Sequence, residues 1–323
     1  MVRKLKKPLI TFIIILAVVA IPLLIGSTTQ INSLNDSRST QGITPPTAPS
    51  EATFAGETIK LDRMDLRERL DRELLAFSYM HSSSILMIKR ANRYFPLIEA
   101  LLKENNIPDD LKYLMVIESS MNTEARSPAG AAGFWQFMKG TARDFKLEVN
   151  NNIDERYHIE KSTHAACSYL RGAYNKYGDW LTAAASYNAG QGRITNELRR
   201  QDVDHASDLW LVQETSRYMF RLIAVKMMFE NPKRFGFFLT EEQLYPPIEY
   251  KEVVINEPIP DLISFAKTHD LTLAQLKEAN PWLRGRTLEN NSRRTYTILI
   301  PTKESIYYKP ESIKAHQSAW VIK

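Results

Sequence analysis

The stretch Leu111-Lys112-Tyr113-Leu114-Met115-Val116-Ile117-Glu118-Ser119-Ser120 decides how the middle of this chain folds. Four apolar residues run directly into Glu118. Upstream, Pro108 followed by Asp109 and Asp110 is a strong helix start, because proline presets φ and acidic residues suit the positive end of the helix dipole. Downstream, Ser127-Pro128-Ala129-Gly130-Ala131-Ala132-Gly133 cannot carry a helix on. The pattern predicts a largely apolar helix over 108–118 that ends on a carboxyl. Burial disfavours the carboxylate anion and the negative helix end repels it, so both would raise the pKa of Glu118. A carboxyl that stays protonated near neutral pH is what a general acid requires. The same spacing equally describes an exposed acidic residue at a helix end.

Helical periodicity surrounds this stretch. Leu66, Leu70, Leu74 and Leu75 recur at helical spacing with charges between them. Further helices are predicted over 84–91, 95–102, 162–174, 181–187 and 214–229. Strand alternation is scarce before 250–255. The body at 58–240 is therefore α-rich, and Tyr245-Pro246-Pro247 marks a joint before a small C-terminal unit at 248–302. Residues 303–323 read as a surface tail.

The 323 residues are 44% hydrophobic and 24% charged, which excludes a disordered, collagen-like or polytopic membrane chain. The net charge of +5 comes from 42 basic and 37 acidic residues. Arg3, Lys4, Lys6 and Lys7 precede an apolar run at 9–25. Removing those four leaves 38 basic against 37 acidic residues, so the charge is no nucleic-acid footprint. Basic residues ahead of an apolar run hold that end in the cytoplasm. Residues 1–26 read as an uncleaved signal anchor, which we favour because no A-x-A site follows, or as a cleaved signal peptide. Either way the remainder is exported to the periplasm or cell envelope. Residues 27–57, rich in Ser, Thr, Asn, Gln and Pro, read as a flexible linker. The single cysteine, Cys167, excludes an intramolecular disulfide and reads as a core residue. The six histidines are scattered, and no metal-ligand spacing occurs.

Three more segments carry chemistry-bearing side chains. Gly133-Phe134-Trp135-Gln136 sets a permissive glycine before two aromatics and an amide. Trp135 is placed to stack on a sugar face, or to pack in the interior, and Gln136 to hydrogen-bond. Ser186-Tyr187-Asn188-Ala189-Gly190 ends a helix of small residues, so that Tyr187 and Asn188 either offer a hydroxyl and an amide beside a cleft or simply close a helix end. Glu214-Thr215-Ser216-Arg217-Tyr218 places another tyrosine on a helix, for the site or for the core.

Together with Glu118-Ser119, these segments resemble the four ordered motifs of the lytic transglycosylases with a lysozyme-like SLT domain, glycoside hydrolase family 23, in the branch of the membrane-bound murein transglycosylase D type. The resemblance covers residues 88–229. Gly-Phe-Trp-Gln stands where Gly-Leu-Met-Gln is usual, and Ser186 where alanine is usual. Neither change touches the acid. The resemblance implies a mainly α, lysozyme-like catalytic domain that acts on peptidoglycan glycan strands without metal or cofactor. It implies that Glu118 protonates the oxygen linking N-acetylmuramic acid to N-acetylglucosamine. The same Glu118 then takes the proton of the C6 hydroxyl, which attacks C1 and leaves a 1,6-anhydro end. A conventional glycosidase needs a second carboxyl; apart from Glu214 none stands in these motifs, and nothing marks Glu124 or Asp144 as buried. By the same resemblance Ser119 and Tyr187 orient Glu118, Tyr218 completes its surroundings, Gln136 and Asn188 hold the N-acetylated sugars, and Asp154-Glu155-Arg156 forms a structural ion pair. A hydrolytic muramidase and a non-catalytic wall-binding scaffold are the competing readings.

The order of elements over 250–301, strand, two helices and strand, looks like a LysM module, which binds N-acetylglucosamine polymers. Asn256-Glu257-Pro258 replaces the usual Gly-Asp after the first strand, so the module is read as degenerate, with sugar binding left open against simple packing on the catalytic domain.

Overall fold

The computed structural model describes residues 44–322 apart from Ser292. The expected anchor at 9–25 and most of the expected linker lie outside these residues. Among the described residues no helix is long and apolar enough to cross a membrane.

The chain is mainly α, as its periodicity predicts. Among the described residues eight α-helices build the larger part: α1 (Met64–Tyr79), α2 (His81–Glu104), α3 (Lys112–Ser119), α4 (Lys139–Asp144), α5 (Ile159–Tyr177), α6 (Trp180–Ala189), α7 (Gln191–Gln201) and α8 (Gln213–Glu230). α3 lies deepest, with Leu114, Met115 and Val116 fully buried. Its start is fixed by Lys112, whose buried ammonium pairs with Glu99 at 2.6 Å and Asp109 at 2.5 Å. The sequence suggested two helices over 84–102, yet α2 runs unbroken through Pro96. Buried Phe95, Ile98 and Leu102 hold its inner face against the core. That packing outweighs the roughly 3 kcal/mol a proline costs inside a helix. α6 carries Ala183, Ala184 and Ala185 at zero exposure, so α5 and α8 close on it from both sides.

Two expectations at the edges of this domain are corrected. The linker does not extend to residue 57. Residues Glu51–Phe54 (β1) and Glu57–Lys60 (β2) form an antiparallel hairpin around Ala55-Gly56, both at positive φ. Phe54 and Leu61 are fully buried against the helices. The Glu57 carboxylate accepts the backbone N–H of Trp180 at the start of α6, and Asp110 accepts that of Ala55 at 2.8 Å. Nor is the C-terminal segment a surface tail. It returns to the helical core, where Trp320 is buried between Phe95 and Phe229 and donates its indole N–H to the Phe229 carbonyl at 2.9 Å. Asn92 on α2 ties the same strap down, donating to the Lys314 carbonyl and accepting the backbone N–H of His316.

The C-terminal unit has the expected order: β3 (Tyr250–Ile255), α9 (Leu262–Thr268), α10 (Leu273–Ala279) and β4 (Tyr296–Pro301), with β3 and β4 antiparallel. Asp261 caps α9, and a Thr272–Gln275 capping box starts α10. Its core of Leu262, Leu276, Trp282, Leu288 and Ile298 includes Ala132, Ile153 and Tyr157 from the helical domain, so the two parts share a hydrophobic seam. Polar contacts reinforce it. Glu148 accepts from Arg294 and from the Tyr296 hydroxyl, each at 2.9 Å. The loop after β3 is closed from within, because Asn290 donates to the Asn256 carbonyl at 2.8 Å.

Candidate active site

Glu118 sits one residue before the end of α3. The helix stops there because Ser120 and Met121 both take left-handed φ, of 51° and 52°. Such non-glycine residues cost on the order of 1–3 kcal/mol each and persist where surrounding structure holds them. Arg90 supplies part of that hold by donating to the Ser120 carbonyl at 3.0 Å. The Tyr218 hydroxyl of α8 donates to Glu118 Oε1 at 2.7 Å. Burial raises the Glu118 pKa from 4.5 to about 7, while the Tyr218 bond and the nearby Arg221 pull it down and Glu214 pushes it up. Desolvation therefore dominates. Half-buried Tyr187 lies close enough for the Glu118 charge to raise its own pKa, after burial, well above the tyrosine norm. Its hydroxyl donates to the Trp135 carbonyl at 2.7 Å rather than to the acid.

The loop at 130–137 packs against Tyr187. Gly133, at φ +76°, lies so close to the next segment that a Cβ would stand 1.9 Å from the Arg156 carbonyl oxygen. The buried Arg156 guanidinium forms a two-pronged pair with Asp154, at 2.9 and 2.7 Å, and donates to the carbonyls of Gly130 and Phe137. The clamp sets Gln136, itself at φ 48°. Its amide nitrogen donates to the carbonyls of Gly133 at 2.7 Å and Ala125 at 3.2 Å. The amide oxygen is left as an acceptor for a ligand. Asn188, at the C-terminal end of α6, makes no side-chain hydrogen bond to another described residue.

Besides the expected Tyr187 bond to Glu118, two more expected roles do not fit this geometry. Trp135 cannot stack on a sugar: it is fully buried, and its indole donates to Thr163 at 2.9 Å. Ser119 does not face Glu118, because successive helix residues point apart. Its hydroxyl donates to the Met115 carbonyl at 3.0 Å and accepts the N–H of Met121, which caps the helix end. Glu124 and Asp144 are exposed. Arg221 was not anticipated from the sequence. It follows Tyr218 by three residues on one helix, a spacing that puts both on the same face. Among the described residues, no cluster of histidine, cysteine or carboxylate side chains could hold a metal ion.

Residues 95–209 match the family described as Transglycosylase SLT domain. The chain carries an SLT transglycosylase domain. The match takes in Glu118, Gln136, Tyr187 and Asn188, while Tyr218 lies just beyond it. Residues 251–304 match the Soluble lytic transglycosylase C-terminal LysM-like domain. The Membrane-bound lytic murein transglycosylase D of Escherichia coli K12 is 29% identical over 264 residues, which is 78% of this chain and 56% of that protein. This chain thus spans a little over half the length of that relative. The Soluble lytic murein transglycosylase of Salmonella typhimurium is 34% identical to it over 94 residues, 27% of this chain and 15% of its own. The crystal structure of the 70 kDa soluble lytic transglycosylase of Escherichia coli aligns at a TM-score of 0.39 and 22% identity, covering 51% of this chain and 30% of that one, too loosely to argue from. Within this domain Tyr218 holds Glu118, and Tyr187 ties the end of α6 to the loop that carries Gln136.

Proposed function

We propose that the protein is a peptidoglycan lytic transglycosylase in which Glu118 serves as acid and then as base. The observation that carries this reading is the Glu118 carboxyl, held by Tyr218 at 2.7 Å and with a pKa raised to about 7. At that value it can give a proton to the leaving glycosidic oxygen and take one back within the same cycle. Among the described residues the carboxylate whose charge adds to that rise is Glu214, which is exposed. One-carboxyl chemistry suits such a site. The C6 hydroxyl of the substrate replaces a bound water, and a tethered nucleophile needs no capture from solution. Gln136 and Asn188 then offer hydrogen bonds to the acetamido groups of the flanking sugars. No metal or cofactor enters the scheme.

The relative that is named membrane-bound, together with the basic and apolar start of the chain, supports an envelope protein tethered to the inner membrane by residues 9–25. In the same reading the LysM-like unit helps seat the enzyme on the wall. The test is mass spectrometry of sacculi digested by the purified protein. Anhydro-muropeptides are expected; reducing muropeptides would move the assignment to a muramidase, and no release would leave a binding scaffold. Glu118→Gln should abolish release while the fold is kept.

A further inference from the structure

A cavity of about 350 Å³ opens at the seam between the SLT domain and the LysM-like unit. Tyr94 of α2, Tyr250 of β3 and Trp282 form its aromatic walls, and Glu160, Glu252 and Glu278 complete its lining. These three carboxylates are exposed, which places them at the mouth. None has an ion-pair or hydrogen-bond partner among the described residues. The lining sets one cation, Arg93, against these three carboxylates. Arg93 lies over the rings of Tyr94 and Tyr245 and donates to the Pro246 carbonyl at 3.0 Å. His158, stacked on Trp282, adds no charge, because burial lowers its pKa to about 4. An apolar pocket ringed by unpaired carboxylates favours an aliphatic arm that ends in an ammonium group. A neutral sugar gains nothing from that ring of charge, and an anion is repelled.

The cavity is also within reach of the acid. Thr123 lines it, five residues after Glu118, so the two backbones stand at most about 18 Å apart. The turn between them, with the N–H of Asn122 bonded to the Ser119 carbonyl, shortens this further. Three or four extended peptide residues span about 10–14 Å. We propose that this cavity receives the amine-bearing residue of a peptide stem whose glycan strand lies in the Glu118 cleft. The proposal rests on the reading that peptidoglycan is the substrate. In it the seam sorts strands by their stems, and the LysM-like unit supplies half of that recognition site.

The test compares cleavage by the full chain of three substrates: strands with amine-bearing stems, strands with the stem amines acetylated, and strands stripped of stems. Amine-bearing strands should be cleaved with a kcat/KM about tenfold higher than either of the others, a gain that falls with salt, as expected for a few exposed charge contacts acting together. The double variant Glu252→Gln/Glu278→Gln should lose this preference and cleave stripped strands at the unaltered rate. A preference that survives in the variant, or that ignores acetylation, overturns the proposal. Calorimetric titration with a free stem tripeptide and with its acetylated form reads the cavity without turnover. Binding of the amine form alone supports the proposal, and equal or absent binding refutes it, even if no strand is cleaved and the transglycosylase reading itself has failed.

Discussion

The raised pKa of Glu118 makes folding stability depend on pH in the direction opposite to that of an ordinary paired carboxylate. In the unfolded chain this carboxyl titrates near 4.5, and in the folded chain near 7. Below the lower value both states hold the proton, and the site costs nothing. As pH rises through that window the unfolded state releases its proton first, so the folded state loses relative stability until Glu118 ionises as well. The interval, at about 1.4 kcal/mol per pH unit, is worth on the order of 3 kcal/mol. Glu118→Gln keeps the shape and the acceptor for Tyr218 but carries no charge. Urea unfolding of both proteins should therefore give similar stabilities near about pH 4.5. By about pH 8 the variant should be the more stable by a figure of that order. Carbon-13 NMR of the Glu118 carboxyl, followed across the same range, reads the titration directly. A stability difference that does not change with pH, or a carboxyl that titrates near 4.5 in the folded protein, refutes the desolvation argument and with it the case for a proton donor.

Other outcomes follow from the same geometry. Cleavage should fall as pH rises past about 7, and Tyr218→Phe should move that limb upward by about one pH unit, because the lost hydrogen bond favoured the anion; pH–rate profiles check both. Gly133→Ala forces a methyl group onto the Arg156 carbonyl at positive φ and should cost more than about 3 kcal/mol, read as a lowered urea midpoint together with loss of cleavage. Trp320→Ala empties the pocket between Phe95 and Phe229 and should cost about 3–5 kcal/mol, although it lies in the last few residues of the chain. Trp135→Phe should lower thermal stability by about 1–3 kcal/mol through the lost bond to Thr163 while leaving KM unchanged, as a buried ring requires.

Much of this arrangement could be read from local pattern. The apolar run into Glu118 could be little else than a buried helix, and the glycine-rich stretch behind it had to end that helix. The strand–helix–helix–strand order of the small unit showed because Asp261 and Thr272 are strong caps and the hydrophobic period changes at β4. What escaped was decided by distant partners. Trp135 in a loop looks the same whether it is wet or dry, and Thr163, 28 residues on, settles it. The hairpin at 51–60 hides because its strands are four residues long and its turn is Ala-Gly rather than Asn-Gly. Ile313 and Trp320 follow no period, and their burial depends on helices that come more than 80 residues earlier. Ser119 caps its own helix instead of meeting Glu118, because a neighbour in sequence on a helix is not a neighbour in space.

The returning strap changes what kind of object the LysM-like unit is. Since the chain leaves the helical domain before β3 and re-enters it after β4, the unit is an insertion held at two points and not an appendage at the end. Its two points of attachment are adjacent, because Tyr250 and Pro301 are register partners across the β3–β4 pair. Their Cα atoms are then about 5 Å apart. Cutting the gene at residue 249 would strip Trp320 from the core and damage the catalytic body along with the module. Excising 250–301 and joining the ends with one or two glycines removes the module and keeps the strap, and it bares Ala132, Ile153 and Tyr157, which the module covers. An engineer could use the same pair of ends as a socket and graft a different wall-binding module into a body that keeps its own closing strap.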